Sequence, residues 1–427
     1  MIIRNFKQLA TTGNKKLALS IVEQGISNAL PNAALGKIVK QNFLQMGRKK
    51  ISLERYRRIY IVAIGKSADL MTSTVDSLTR IHGGMVVIPD KTCSLIRKKK
   101  FTLIRSGHPV PTANSIMATK KIIAFLKLLE GTDLVIFLIS GGASSLVSLP
   151  DGISLQDKQL VTHLLLRSGA NIREINCVRK HLSKVKGGRL VESLRCHAVS
   201  LVMSDVVGDD LSVIASGITY CDKSTFCDAK KVLIKYHLKN LVPKPVWARI
   251  ILGTKGVIPE TPKKPKIPNY IIQSNRNCVD LMKTRAQKLG FATKAIYSIE
   301  GNVSDAASEI SKHVSRSQNF CLVFGGETTV AVKGKGKGGR NQELVLNLLK
   351  KLKDRDKKMT IVSVGTDGID GNTLAAGSIA DYSMPLEPIG KYLNENNSYH
   401  YFKKYGGLIF TGSTHTNLMD IGLVLLQ

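Results

Sequence analysis

Five short stretches of this 427-residue chain collect the residue types that handle anions and protons. The densest is GGETTVAVKGKGKGGRNQEL, starting at Gly325, with six glycines and four basic side chains between Gly325 and Arg340. Glycine weakens regular structure and neighbouring cations repel, so an anion is the natural counterpart of this stretch. Lys335, Lys337 and Arg340 at the opening of a helix suit a polyphosphate, whose oxygens they would neutralise during phosphoryl transfer. The stretch also holds a formal GxGxxG at Gly334, Gly336 and Gly339. As a dinucleotide fingerprint it is weak: two lysines crowd it, and no acidic residue ends a strand ~20 residues later.

The other four stretches are smaller. Lys66 follows an apolar run and precedes a helix pattern, yet the P-loop spacing fails because its first glycine would fall at Tyr60. An ammonium there holds a phosphate or carboxylate, or is a solvated turn lysine. SGGASS begins at Ser140 and offers small residues and backbone N–H groups as an anion nest, or as a tight turn. It is not a nucleophile elbow, since Leu138 stands where GxSxG needs glycine. SDVVGDD (from Ser204) and TDGIDG (from Thr366) cluster carboxylates. Such groups hold Mg2+ or accept a hydroxyl proton; the plain alternative is an Asx-turn cap.

Positioning these stretches requires strands that end at them. RIYIVAIG, DLVIFLISGG, HAVSLVMSD, NFCLVFGG and TIVSVGTD are apolar runs without alternation, as expected of strands buried on both faces. Amphipathic helix patterns fall between them at 114–129, 156–168, 277–288, 304–314 and 341–352, the last with Leu344, Leu348 and Leu352 on one face. This alternation predicts an α/β fold with mostly parallel sheets flanked by helices, and ligand binding beyond the carboxyl ends of the strands. GVIPETPKKPKIPNY reads as a solvated linker over 256–269, dividing an N-terminal α/β domain (1–255) from a C-terminal one (270–427).

Composition narrows the class. At 43% hydrophobic and 22% charged, the chain is ordinary globular material. Its 63 basic against 31 acidic residues give +32, but the basic runs are scattered and aromatics are only 5%. That pattern predicts a diffuse lysine surface attractive to anionic small molecules, with no specific nucleic-acid partner. Seven cysteines without CxxC fit a reducing, cytoplasmic setting, and nine histidines show no zinc spacing. No apolar run reaches ~18 residues, so no membrane span is expected.

Taken in order, GKSADLM, SGHPVPTANS, LISGGASSL, NCVRKHLSKVKGGRL, LVMSDVVGDDLSVIASG, GGETTVAVKGKGKGGRNQEL, VGTDGIDGNTLAAG and TGSTHTNLMDIG resemble the glycerate 2-kinase family (class II glycerate kinases) over nearly the whole chain. The C-terminal part resembles the module named for a multi-organism fragment rich in leucine. The resemblance implies two α/β domains with an active cleft between them, and transfer of phosphate from ATP, with Mg2+, to the 2-hydroxyl of D-glycerate, giving 2-phosphoglycerate. It implies catalytic roles for Lys66, Asp205, Arg340 and Asp367, with Asp205 and Asp367 as metal carboxylates. It implies substrate and nucleotide contacts from Ser140, Gly141, Gly142, Gly325, Gly326, Glu327, Thr328, Lys335, Gly336, Gly338, Gly339, Asn341 and Glu343. Oligomeric state stays open.

Members also carry the name hydroxypyruvate reductase, so an NAD(P)H-dependent reductase is the second reading. A degenerate, non-catalytic member is the third. It is motivated by departures from the family pattern at Thr112, Ile218, Leu374, Ser413 and His415. A positive φ at position 415, natural for the family's glycine, would strain His415.

Overall fold

The computed structural model of the protein describes residues 1–315, 317–352 and 358–427; the middle of the basic run at 350–358 lies outside them. The chain forms two compact units, one of Ala34–Ile272 and one joining Met1–Ala33 to Gln273–Gln427.

The central unit opens on a hairpin of β1 (Phe43–Met46) and β2 (Lys49–Ser52). Its sheet uses β3 (Arg58–Ile64), β4 (Gly83–Pro89), β5 (Phe101–Ser106), β6 (Asp133–Ile139), β7 (His197–Ser204) and β8 (Asn269–Ser274), ordered β5-β4-β3-β6-β7-β8. The pairs from β5 through to β7 are parallel. β6 is buried at all seven positions, as its unbroken apolar run requires of a strand covered on both faces. Val62, Ile64, Val135, Phe137, Ile139 and Val202 from three neighbouring strands share one core. The flanking helices start where capping residues permit. Ser154 and Asp157 form a reciprocal capping box on Leu155–Arg167, and Asn171 and Glu174 do so on Ile172–His181.

The discontinuous unit holds β9 (Ala292–Asn302), β10 (Phe320–Thr329), β11 (Thr360–Gly365), β12 (Gly377–Asp381), β13 (Leu408–Ile409) and β14 (Asp420–Leu426), ordered β13-β12-β11-β14-β10-β9. β9 and β10 are parallel. β14 runs antiparallel to both β10 and β11, and β12 antiparallel to β11 and β13. The α/β class holds, and this second sheet is mixed. A continuous apolar run reports burial on two faces but not strand direction. Helix Arg340–Leu352 lays Leu344, Leu348 and Leu352 into the core. Each buried leucine contributes about 1.5–3 kcal/mol.

Two boundaries differ from the expected ones. Residues 256–269, although mostly exposed, group with the central unit and are tied to it at a few points. Thr261 is buried and donates to Asp222, the Asp222 amide donates to the Pro262 carbonyl, and a Glu260 oxygen accepts from the Phe226 amide at 2.8 Å. Proline removes donors and fixes φ, which fits a packed strap as well as a free tether. The first 33 residues also belong with the C-terminal part. Gly25 in helix Gly13–Ala29 abuts Met282 and Ile421 so closely that any Cβ would collide, and Thr416 donates to the Ala29 carbonyl at 2.8 Å. Asn5 donates to the Leu408 carbonyl at 2.8 Å.

Candidate active site

In the central unit, adjacent parallel strands deliver their following loops to one edge of the sheet. β3 leads to Lys66, β6 to Ser140, Gly141 and Gly142, and β7 to Asp205. The Lys66 amide donates to the Gly141 carbonyl at 2.9 Å, and the Ser67 amide to Ser140 Oγ at 3.0 Å. Gly141 abuts the Asp205 carboxylate and Gly142 abuts the His108 ring, each so closely that a Cβ would collide. Gly142 also has φ 84°, in the left-handed region that glycine favours. Lys66, Ser140, Gly141, Gly142 and Asp205 are thus neighbours.

His108 joins them unannounced, from the loop after β5. Burial, then the charge of Lys66, lowers its pKa to about 4, so the imidazole is neutral at pH 7. The HPVP motif was visible in the sequence, but nothing in its spacing assigned the histidine a neighbour.

In the discontinuous unit a cavity of about 650 Å³ is bordered by Thr328, Gly336, Gly338, Gly339, Arg340, Glu343 and Asp367, with Asn372 and Asn396 among the remaining lining. Its size falls within the ~300–1,000 Å³ of small-molecule sites. Seven of the expected residues therefore share one wall. Arg340 is already paired. Its Nε donates to Asp420 Oδ2 at 2.6 Å, Nη2 to Asp420 Oδ1 at 3.0 Å and Nη1 to Glu327 at 2.6 Å. Burial pushes the Asp420 carboxyl up, and the Arg340 cation opposes that shift. The two-bond geometry describes the ionised pair.

Asp420 escaped the sequence reading because it starts a strand. β14 is antiparallel, so its first residue lies level with Gly326 near the end of β10 and with Gly365 at the end of β11. An acidic residue immediately before IGLVLL was the available signal.

The remaining expected residues stand apart from the cavity. Gly325 and Gly326 serve close packing, against the Asn275 side chain and the Ile299 backbone respectively. Asn341 is buried and donates to Asp370 while accepting from Ser363 at 2.6 Å. Lys335 is exposed. The helix start itself is occupied by protein. Asp370 accepts from the Asn341 amide at 3.0 Å and the Gln342 amide at 2.9 Å.

Much of the loop's backbone is also spoken for. The Lys333 and Gly334 amides donate to Asn396 Oδ1, Gly336 to the Glu395 carbonyl, Lys337 to Asn397 and Gly338 to Asn372. Gly334 and Gly336 lie against Glu395 and Asn397 with no room for a Cβ. Gly334 and Gly336 thus have a packing role against this neighbouring turn, while Gly336, Gly338 and Gly339 also line the cavity.

Among the described residues, no three His, Cys, Asp or Glu side chains gather as a metal cage. Asp367 on the cavity wall still fits Mg2+, which is commonly held by one or two carboxylates together with substrate phosphates. His415 has φ 53°, the left-handed backbone anticipated there. Ile218 is buried in the central core and Leu374 is exposed.

Two family models match the chain in sequence. A domain of unknown function (DUF4147) covers residues 17–251, and the MOFRL family covers residues 320–420. A glycerate 2-kinase from Pyrococcus horikoshii is 39% identical, with 96% of this chain and 97% of that one aligned. The crystal structure of a glycerate kinase from Thermotoga maritima superposes with TM-score 0.83 at 37% identity, covering 96% of this chain and 99% of that one. A relative from Agrobacterium vitis that bears a hydroxypyruvate reductase name is 34% identical over 86% of this chain and 87% of that one. The chain belongs to the glycerate 2-kinase family and is an enzyme of the kinase class. Among the described residues no helix is long and apolar enough to cross a membrane.

Proposed function

We propose that the protein transfers the γ-phosphoryl group of ATP to the 2-hydroxyl of D-glycerate, releasing ADP and 2-phosphoglycerate. The observation that carries this reading is the convergence of Arg340, Thr328, Gly339 and Asp367 on one nucleotide-sized cavity. Arg340 sits there as a permanent cation held by two carboxylates, which fixes its direction and keeps its charge available to phosphate oxygens. Mg2+, held by Asp367 and the phosphates, would neutralise charge on the transferring group. In the central unit Lys66 supplies a cation and Asp205 a carboxylate beside the Ser140 loop, suited to accept the hydroxyl proton. Neutral His108 adds a hydrogen-bonding ring without a second positive charge. Seven cysteines, none in a disulfide, fit the cytoplasm as its setting.

The reductase reading rests on a relative's name and on the GxGxxG. Gly334 and Gly336 are accounted for by packing against Glu395 and Asn397, and Gly339 by packing against Asp370. The motif therefore lends no support to a dinucleotide. A paired assay tests the choice. With ATP, D-glycerate and Mg2+ together, ATP consumption is expected; with NADH and hydroxypyruvate, no oxidation of NADH. Turnover only in the second cell overturns the kinase proposal. Silence in both, from folded protein, favours the degenerate member.

A further inference from the structure

The central unit contains two buried cationic groups and one half-buried one that no carboxylate compensates. Lys158 is 2% and Lys186 0% exposed, while Arg179 is half-buried with its Nε fully enclosed. Lys186 Nζ donates to the Ser144 carbonyl at 2.6 Å and to Ser144 Oγ at 2.7 Å. Arg179 Nη2 donates to the same Oγ at 2.7 Å. One neutral hydroxyl therefore receives hydrogen bonds from two cations. The Lys158 ammonium donates to Ser148 Oγ at 2.9 Å, and Arg179 Nε has no hydrogen-bond partner. Nearby Lys180 shows the ordinary solution, an ion pair with Asp222 at 3.2 Å.

Burying an unpaired charge costs several kcal/mol, and cations this close also repel. Burial, then Arg179, lowers the Lys158 ammonium to about 7; burial first, then Arg179, Lys158 and Lys180, takes Lys186 well below its usual range. A fold that tolerates this arrangement is short of one negative charge.

The neighbouring backbone is held equally tightly. Ala215 and Ser216 adopt left-handed φ of 52° and 56°. That turn sets Ser216 Oγ 2.7 Å from Ser144 Oγ and 2.8 Å from Asn176 Oδ1. Ser144 belongs to the same short loop as Gly142, which abuts His108.

We infer that Arg179, Lys186 and Ser144 form a binding site for a small oxyanion in the central unit, with Lys158 adding charge behind it. The chemistry recognised is a planar or tetrahedral group of two or three anionic oxygens. Arg179 offers its fork and free Nε, Lys186 turns from Ser144 to the ligand, and the serine hydroxyls complete the shell. A hydroxy acid's carboxylate and a phosphoryl group share this chemistry. Assigning the site to the acid substrate or its phosphorylated product rests on the kinase reading; the existence of an oxyanion site does not.

The test is calorimetric titration of the full chain with D-glycerate and, separately, with inorganic phosphate, alongside thermal midpoints with and without each. The proteins compared are wild type, Lys186→Met and Arg179→Gln. Wild type is expected to bind at least one probe with a raised midpoint. Both variants should weaken that binding by about tenfold or more, the worth of a charged hydrogen bond. Lys186→Met without ligand should be as stable as wild type or more so, because an unpaired charge has gone. Should it fail to fold, the half-buried Arg179→Gln carries the comparison.

Glycerate binding identifies the carboxylate, and phosphate binding the phosphoryl group. Unchanged affinity in the variants, or no binding of either probe by wild type, overturns the site. Variant-sensitive binding in a protein that never turns over ATP keeps the site and removes the kinase reading. Turnover with variant-insensitive affinity does the reverse.

Discussion

Arg340 and Asp420 face each other through two hydrogen bonds, Nε to Oδ2 at 2.6 Å and Nη2 to Oδ1 at 3.0 Å, at the shared end of β10, β11 and β14. The pair couples activity to stability. Arg340→Ala should lower kcat/KM by about 10²-fold or more, since charge at a transferring phosphoryl group is a large term. It should also destabilise the fold by about 3–5 kcal/mol, because Asp420 is left buried without its counter-ion. Adding Asp420→Asn should recover stability in a denaturant titration but not turnover. Wild-type kinetics in the single variant would remove Arg340 from the mechanism.

Asp370 is assigned a structural role, closing the first turn of helix Arg340–Leu352 through two backbone amides. Asp370→Ala should therefore cost about 1–2 kcal/mol, as lost helix caps do. Urea midpoints measure this. A variant of unchanged stability whose activity needs far more Mg2+ would recast Asp370 as a metal carboxylate.

His108 gives a pH signature. Its folded pKa lies near 4, below the usual 6.5. Between those values the unfolded chain binds more protons than the folded one, so this residue's contribution to stability rises with pH across the window and is lost as pH falls through it. Replacing His108 with Gln should flatten the stability–pH curve between about pH 4 and 6.5. An unaltered slope in that window would contradict the buried, neutral imidazole.

At position 415 the backbone is left-handed, and histidine enters that region more readily than most side chains. His415→Gly is expected to fold and to keep or raise activity. His415→Val, β-branched in the same conformation, should cost about 1–2 kcal/mol. Thermal melts of the two variants separate backbone strain from any role of the ring; equal stability would argue against strain. A drop in activity with His415→Gly would mark the position as adapted.

Legibility followed the kind of physics involved. Unbroken apolar runs and 3.6-residue leucine spacing reflect burial, and they located the strands that carry Lys66, Ser140 and Asp205 and the helix that begins at Arg340. Partners supplied by distant segments left no local mark. Asp420 stands 80 residues from Arg340, and Asp370 is 29 from Asn341. The packing partners of the glycine-rich loop left no local mark for the same reason. Its composition announces a close approach, but not that Glu395 and Asn397 lie against Gly334 and Gly336. In the Pro/Lys stretch the composition showed the exposure that most of its residues have, but not the contacts of Thr261, Pro262 and Glu260 with the central unit.

The discontinuity of one unit also has a consequence for the order in which the chain is made. Helix Gly13–Ala29 is synthesised well before helix Asn275–Lys288 and the strand containing Ile421, against which Gly25 packs. The central unit, contiguous over Ala34–Ile272, can complete its sheet through β7 during translation. This helix must wait through roughly 240 residues of synthesis for helix Asn275–Lys288 and roughly 390 for the strand containing Ile421, ~12–48 s and ~20–80 s at typical elongation rates, with its apolar face uncovered. A nascent chain stalled after Ile272 would present that face to chaperones, while a fragment beginning at Gln273 would lack the helix that covers its own core.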